Sequence, residues 1–399
     1  MLSCKELQSS GTVAIVGVGP SGSMLARLLQ LKGFSVKVFE RDASPTSRSQ
    51  GGSLDLRRNA GQRAVERAGL IKEFNRFSRD DAKAFKMLDS QGKPYPTGDD
   101  AGTHEEAGPE IDRGDLRQML LDSLVPNTVA WGHTVKEVLP EGDGRWRLEF
   151  TDKESVTADL VVGADGVGSR VRPRITSVRP RYTGMTMLAN VIRKDLWRGS
   201  EISELLGEGS MMFAEHNQTI FVQRCSRDLI LLYYSMIVDE NFPATQGFAL
   251  DDTEAVLKSI TAAYDKWSPE LLTMLTQVDG KFHRWALSVM PPDYSWETQP
   301  GLAMVGDSSH AMPPFTGKGV NLALLDSLEL ADGLSSNPDA EVTSIVKTCE
   351  ARMQERTRRE ISECLEVGRQ IYGLEVDFDK PQQSDLRNLS QVAPVKERQ

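Results

Sequence analysis

A chain of 399 residues can bury a sizeable core and hold two domains, or one large domain with an insertion. Its hydrophobic share of 39% and charged share of 26% exclude a disordered or fibrous chain, and a net charge of −10 with no offsetting basic stripe excludes nucleic acid as a partner. No apolar run nears the ~18 residues of a membrane span, so stable membrane insertion is not expected. Residues 1–11 read as a frayed leader without the pattern of a signal peptide. Residues 12–40 read as strand, tight turn, helix and strand. Val13–Val16 is a short apolar run. Gly17-Val-Gly19-Pro-Ser-Gly22 follows, and the helix after it has apolar residues at helical spacing. Each glycine has a physical task in dinucleotide binding. Gly17 permits the sharp turn, Gly19 admits a pyrophosphate to the backbone, and Gly22 lets helix and strand pack closely. Free N–H groups at the helix start favour phosphate. The second strand, Phe34 to Phe39, ends in Glu40 and Arg41. There a carboxylate can accept ribose hydroxyls.

Beyond a polar loop from Arg41 to Gln50, Asn59 to Gly69 reads as a helix stopped by its glycine. Gly98 to Gly108 reads as a mobile surface loop. Asp112 is a plausible N-cap for the helix through Leu124. Val129 to Leu139 and Trp146 to Phe150 read as strands, and Ala158 to Gly163 as a buried parallel strand leading into Asp165 and Gly166. Residues 172–290 change character. Strand-like pieces at 186–192, 209–214, 219–225 and 228–238, then a helical stretch at 252–267, indicate a separate antiparallel sheet. Residues 301–306 return to the buried-strand pattern before Asp307. Gly317 opens a helix, residues 341–371 read as one long, partly exposed helix, and 377–399 as a disordered tail.

Four cysteines, Cys4, Cys225, Cys349 and Cys364, form no C-x-x-C pair and no cluster with metal spacing. Reduced thiols, a cytoplasmic location and no metal are expected. His310 beside Ser308 and Ser309 forms no nucleophile motif, and it reads as structural. His104, His133, His216 and His283 have no partner at a defined spacing, and Glu105-Glu106 reads as solvated. No catalytic side chain is assigned.

Three stretches together carry a family resemblance: Gly17 to Gly22, Gly163-Ala-Asp165-Gly166-Val-Gly168, and Gly306-Asp307-Ser-Ser-His310-Ala-Met-Pro313-Pro314-Phe-Thr-Gly317-Lys-Gly319-Val320-Asn321. The chain resembles the aromatic-hydroxylase group of FAD-dependent monooxygenases. Gly51-Gly-Ser-Leu-Asp55, Ile111-Asp-Arg113-Gly-Asp-Leu-Arg117 and the long terminal helix extend the likeness to the tetracycline-inactivating monooxygenases, from about residue 12 to 375. That resemblance implies an α/β fold: a Rossmann-like FAD-binding domain of the para-hydroxybenzoate hydroxylase type, an inserted antiparallel-sheet substrate domain and a long C-terminal helix. The implied FAD-binding domain is discontinuous, 1–75 with 108–171 and 291–335. The substrate domain is 76–107 with 172–290, and 340–374 is a bridging helix. Implied cofactor contacts are Gly17, Gly19, Gly22, Glu40, Arg41, Arg48 (toward NADPH), Asp55, Arg113, Asp165, Gly166, Asp307, Gly317, Gly319, Val320 and Asn321.

The implied reaction uses FAD held throughout, transient NADPH and O2, and inserts one oxygen through a flavin C4a-hydroperoxide. A monomer acting on an aromatic or polycyclic small molecule is expected. Where the tetracycline enzymes place a Gln and a His on substrate, this chain has Ala189 and Tyr233 or Tyr234, so a ligand other than tetracycline is expected. Met185, Met187, Met211, Met212, Phe213, Phe221, Tyr233 and Tyr234 suit an aromatic ligand or a sheet core. A reductase or a halogenase of the same fold are the alternatives, and the halogenase Trp-x-Trp-x-Ile-Pro signature is absent. A prenylated-protein escort lacks the Asp165 and Asp307 motifs.

Overall fold

The computed structural model describes residues 2–47, 51–80, 84–95, 108–192, 200–227 and 229–379. Arg48, His104, Glu105-Glu106 and the tail from 380 lie outside the described residues. The apolar runs Val13–Val16, Leu160–Gly163 and Leu302–Met304 are buried throughout. They run parallel side by side, and Val36–Phe39 and Val129–Ala130 extend the sheet from Val13–Val16. Both faces are covered, which is why these strands lack polar alternation. Val13 and Ile15 face the helices Pro20–Leu31 and Gly319–Ser336. Ala14 and Val16 face a three-stranded antiparallel layer, Val135–Gly142, Arg145–Phe150 and Val156–Ala158.

A second sheet has six strands in the order Val278–Val289, Arg181–Ile192, Ile230–Ile237, Gln218–Arg224, Ser210–Glu215 and Phe85–Leu88. It is antiparallel except at its last pair, where Phe85–Leu88 joins in parallel. Alternation along the strands divides its side chains. Leu188, Met211, Phe213, Ile220, Tyr234 and Phe282 pack against the helices Thr253–Ala263 and Pro269–Leu275. Tyr234 donates its hydroxyl proton to the Leu275 carbonyl at 2.5 Å, satisfying its one buried polar group. Register places Ala189, Tyr233, Phe221 and Met212 in one row on the opposite face. The helix Val342–Tyr372 lies across both sheets: Met353 reaches Ser309, and Tyr372 bonds Thr219 of the second sheet.

Several local expectations change. Residues 2–11 are not frayed: Cys4–Ser9 is a helix with a Ser3/Glu6 capping box, and Cys4 and Leu7 are buried. The stretch 129–139 splits into Val129–Ala130 and Val135–Gly142, which belong to different sheets. Positive φ at Gly132 (+67°) breaks it. Residues 59–69 form a π-turn, Arg58–Gln62, before the short helix Arg63–Arg67. The twelve-residue strand Val278–Val289 has no counterpart in the sequence reading. All four cysteines are buried.

The two faces of the second sheet carry a stability contrast. Phe213→Ala, at 0% exposure, opens a cavity in the helix-covered core and is expected to cost about 3–5 kcal/mol. Met212→Ala, half-buried on the opposite face, is expected to cost under about 2 kcal/mol. Urea unfolding of the two variants checks the register.

Candidate active site

The site is built at the carboxyl ends of three neighbouring parallel strands. Gly17 has φ +97°, and a Cβ there would lie 2.5 Å from the Ala164 carbonyl oxygen. A Cβ on Gly22 would lie 2.0 Å from the Gly17 carbonyl oxygen. Both positions require glycine for close packing. Gly19 differs: a Cβ there would meet nothing within 4 Å. It leaves an open cradle at the start of Pro20–Leu31, where the unpaired N–H groups of a helix attract phosphate. Glu40 is buried, and its two oxygens accept the N–H groups of Val18 and Asp42, each at 2.9 Å. The predicted ribose acceptor therefore also holds the glycine turn in place. Arg41 is exposed beside it.

Asp165 and Asp307 stand on the adjacent turns. Asp165 Oδ2 accepts the Arg170 N–H at 2.6 Å, while Oδ1 is buried without a partner. Burial pushes its carboxyl pKa up, against the hydrogen bonds that favour the charge. Gly166, at φ +75°, turns the chain after it. Asp307 is open to the cleft. The positive charges of Arg113 and Arg172 lie near its carboxylate. Arg172, which sequence reasoning left unassigned, is buried between the two turns. It donates to the carbonyls of Ser308, at 2.9 Å, and Val167.

A two-stranded ribbon, Ser53–Asp55 with Glu110–Asp112, lies between the two larger sheets. Asn321 fastens it to the helix Gly319–Ser336. Its Nδ2 donates to the Asp55 carbonyl at 2.9 Å, and its Oδ1 accepts the N–H groups of Arg57 at 2.7 Å and Gly61 at 3.2 Å. The Asn321 side chain is thus committed to protein contacts. Asp55 Oδ1 lies 3.4 Å from where a Gly317 Cβ would stand, and a Cβ on Gly319 would meet nothing. The helix start at Gly319 and half-buried Val320 therefore opens beside Asp55. Asp112 occupies the N-cap position of Arg113–Asp122 but makes no side-chain cap. Its carboxylate instead accepts from Ser53 Oγ at 2.6 Å and from the Ser226 N–H at 3.1 Å, because the second sheet brings those donors to it.

The second sheet closes the cleft. Gln223 pairs with the Ser53 backbone in both directions, at 3.0 and 3.3 Å. A Cβ on Gly52 would lie 2.5 Å from the Tyr233 hydroxyl. Burial pushes that hydroxyl's pKa up. The Tyr233 ring lies 5.8 Å from Trp285 and 5.9 Å from Phe221. Trp285 borders Gly51, and Arg113 borders the same glycine. Of the eight residues considered for a ligand, Met187, Met212, Phe221 and Tyr233 are half-buried on this face. Met211, Phe213 and Tyr234 belong to the helix-covered core, and Met185 packs with Tyr372. Trp285 and Gln223 were missed. The available signal was the enrichment of this stretch in strand formers, Phe282, Trp285, Leu287 and Val289, without a regular alternation. Among the described residues, no cluster has the makings of a metal site, and no helix is long and apolar enough to cross a membrane.

Glycine turns on adjacent parallel strands, a phosphate cradle with no side chain in it and a buried carboxylate oxygen lacking a donor together define a dinucleotide flavoprotein site. Residues 10–212 and 295–359 match the family model described as FAD binding domain, and the chain belongs to that family. It is 28% identical over 391 residues to "Monooxygenase asqM" of Emericella nidulans, covering 86% of this chain and 87% of the relative. It is 29% identical over 369 residues to "Monooxygenase penA" of Penicillium thymicola, covering 81% and 84%. The crystal structure of the tetracycline destructase Tet(51) shares the fold, with TM-score 0.68 at 19% identity, covering 96% of this chain and 94% of that one. The protein is a FAD-dependent monooxygenase, an oxidoreductase.

The ribbon supplies a pH test. Glu110 pairs across it with Asp55. Burial pushes its carboxyl from 4.5 to about 7, although Arg79, 3.5 Å away, partly offsets the shift. An acid whose folded pKa is raised binds its proton more tightly when folded, so its contribution is full below the unfolded value and is lost as pH climbs through the folded one. Stability is expected to fall between about pH 4.5 and 7. Glu110→Gln should flatten that slope in urea midpoints measured across the window.

Proposed function

We propose that the protein uses NAD(P)H and O2 to insert one oxygen atom into an aromatic or polycyclic natural-product-like molecule seated against the Tyr233 face. The observation that carries this reading is the meeting, at one cleft, of the three turns and an aromatic sheet face. Bound FAD supplies the redox chemistry and the activation of O2. The chain's residues supply position and exclusion of water. The open backbone at Gly19 and the start of Pro20–Leu31 receive the pyrophosphate. Glu40 accepts ribose hydroxyls through lone pairs that the Val18 and Asp42 N–H groups leave free. Arg41 and Arg48 serve the dinucleotides. Asp165 and Gly166 lie along the route between the two halves of the cofactor. Asp307 accepts from the sugar-alcohol chain of FAD. Arg113 and Asp55 border the ring end, where the N–H groups at Gly317, Gly319 and Val320 favour electron-rich ring atoms. Met187, Met212, Phe221, Tyr233 and Trp285 line a dry surface against which a flat ring stacks.

The enzyme acts as a cytoplasmic monomer. It divides along the boundaries expected from the sequence, with the cofactor held by 1–75, 108–171 and 291–335 and the substrate by 76–107 and 172–290.

Purified protein should be yellow and should take up FAD. Gly19→Ala, whose added Cβ enters the cradle and meets no protein atom within 4 Å, should weaken FAD binding about tenfold, ~1.4 kcal/mol, while lowering the apoprotein's stability by no more than the ~1 kcal/mol of a lost glycine N-cap. Under heavy-isotope dioxygen, one labelled atom should enter an aromatic product drawn from a compound panel. Protein that takes up no flavin, or that oxidises NADPH while reducing the organic compound without oxygen entering it, overturns the reading.

A further inference from the structure

Behind the Gly306–Asp307 turn lies a buried charge cluster that no cofactor contact uses. Asp326, on the helix Gly319–Ser336, is 2% exposed and holds three groups. Its Oδ2 accepts the Gly306 N–H at 3.1 Å and lies 2.5 Å from His310 Nε2. Its Oδ1 accepts from Arg356 Nη2 at 2.7 Å. Arg356 comes from the long C-terminal helix and also grips Glu329, at 3.1 and 3.2 Å. Two carboxylates thus face two cationic groups. Burial disfavours a charged His310, but the Asp326 carboxylate outweighs it and raises its pKa.

Buried ions are tolerated only when each is paired with good geometry, so such a cluster admits few arrangements. The turn itself has little freedom. Gly306 has φ +64°, and a Cβ on it would stand 3.0 Å from Ala323 Cβ and 3.1 Å from Ser21 Oγ. It is wedged between two helices, and the pull of Asp326 on its first N–H sets its depth.

We propose that Asp326 and Arg356 are positioning residues for the cofactor turn. Arg356 orients the Asp326 carboxylate. Asp326 in turn holds the Gly306 N–H and the His310 ring, so that Asp307 points into the cleft. The C-terminal helix, which carries none of the glycine motifs, is thereby part of the cofactor site. This inference rests on the proposed contact of Asp307 with FAD.

The test is a double-mutant cycle on the full-length protein, read by FAD dissociation constant, midpoint potential of the bound flavin and melting temperature. Arg356→Met should weaken FAD about tenfold and shift the potential, since touching residues couple by such amounts. Arg356→Lys keeps the charge but loses the planar fork, and should recover part of the affinity. Asp326→Asn, nearly the same shape, should behave as Arg356→Met does. Combined with Asp307→Ala, Arg356→Met should add little. If Asp307→Ala binds FAD as the wild type does, the placement of Asp307 falls, and this inference with it. If Asp307→Ala weakens FAD while Arg356→Met only lowers the melting temperature, or adds in full, the inference alone falls.

Discussion

Three strands side by side in one parallel sheet put their carboxyl ends, and the turns that follow, within reach of a single extended ligand. Val16 pairs with Gly163, and Gly163 pairs with Met304. The turns at Gly17, Asp165 and Asp307 therefore open in the same direction, although long stretches of chain separate them. This is the general rule for open α/β sheets, whose ligands lie outside the carboxyl ends of the strands. Everything else at the site is an adjustment to that geometry. Gly17 and Gly22 let the first turn sit against Ala164. Arg172 joins the second turn to the third through the Ser308 carbonyl.

The second sheet is tied to the two-stranded ribbon by polar contacts. Gln223 reads the Ser53 backbone as a neighbouring strand would, and Asp112 reaches Ser226. These bonds hold the ribbon between the sheets and bring Tyr233 and Trp285 to the glycines before it. The seam is polar and partly titratable, because Glu110 and Arg79 lie within it. Apolar packing dominates on the far side of the sheet, where two helices cover Phe213 and Tyr234. On the cleft face the aromatic side chains stay half-buried, with Trp285 39% exposed.

Much of the fold was legible because local patterns carried it. Continuous apolar runs between glycines marked the parallel strands, and apolar spacing marked the long helices. Local pattern gave way where a partner elsewhere in the chain decided the outcome. Asp112 looks like a cap because it precedes a helix, yet Ser53 and Ser226 are better donors once the sheets meet. Residues 1–11 look unstructured because the surface that buries Cys4 and Leu7 lies hundreds of residues away: the Cys4 N–H bonds the Ala340 carbonyl at 2.9 Å. Arg356 and Asp326 look like ordinary charges on helices.

By itself, the sequence determined the class of ligand. Gly17, Gly19 and Gly22 before a helix, and Glu40 after the second strand, state a dinucleotide through residue type and spacing alone. The later aspartate turns select FAD by resemblance. Those signals are local: φ angles, missing side chains and helix starts are written over a few adjacent residues. Only the tertiary structure decided which of the methionines and aromatic residues face the cleft. A strand's period of two tells which residues share a face but not which face the helices will cover. Ala189, Tyr233 and Phe221 are thereby separated from Tyr234 and Phe213, and Asp326 is joined to Arg356 of the following helix.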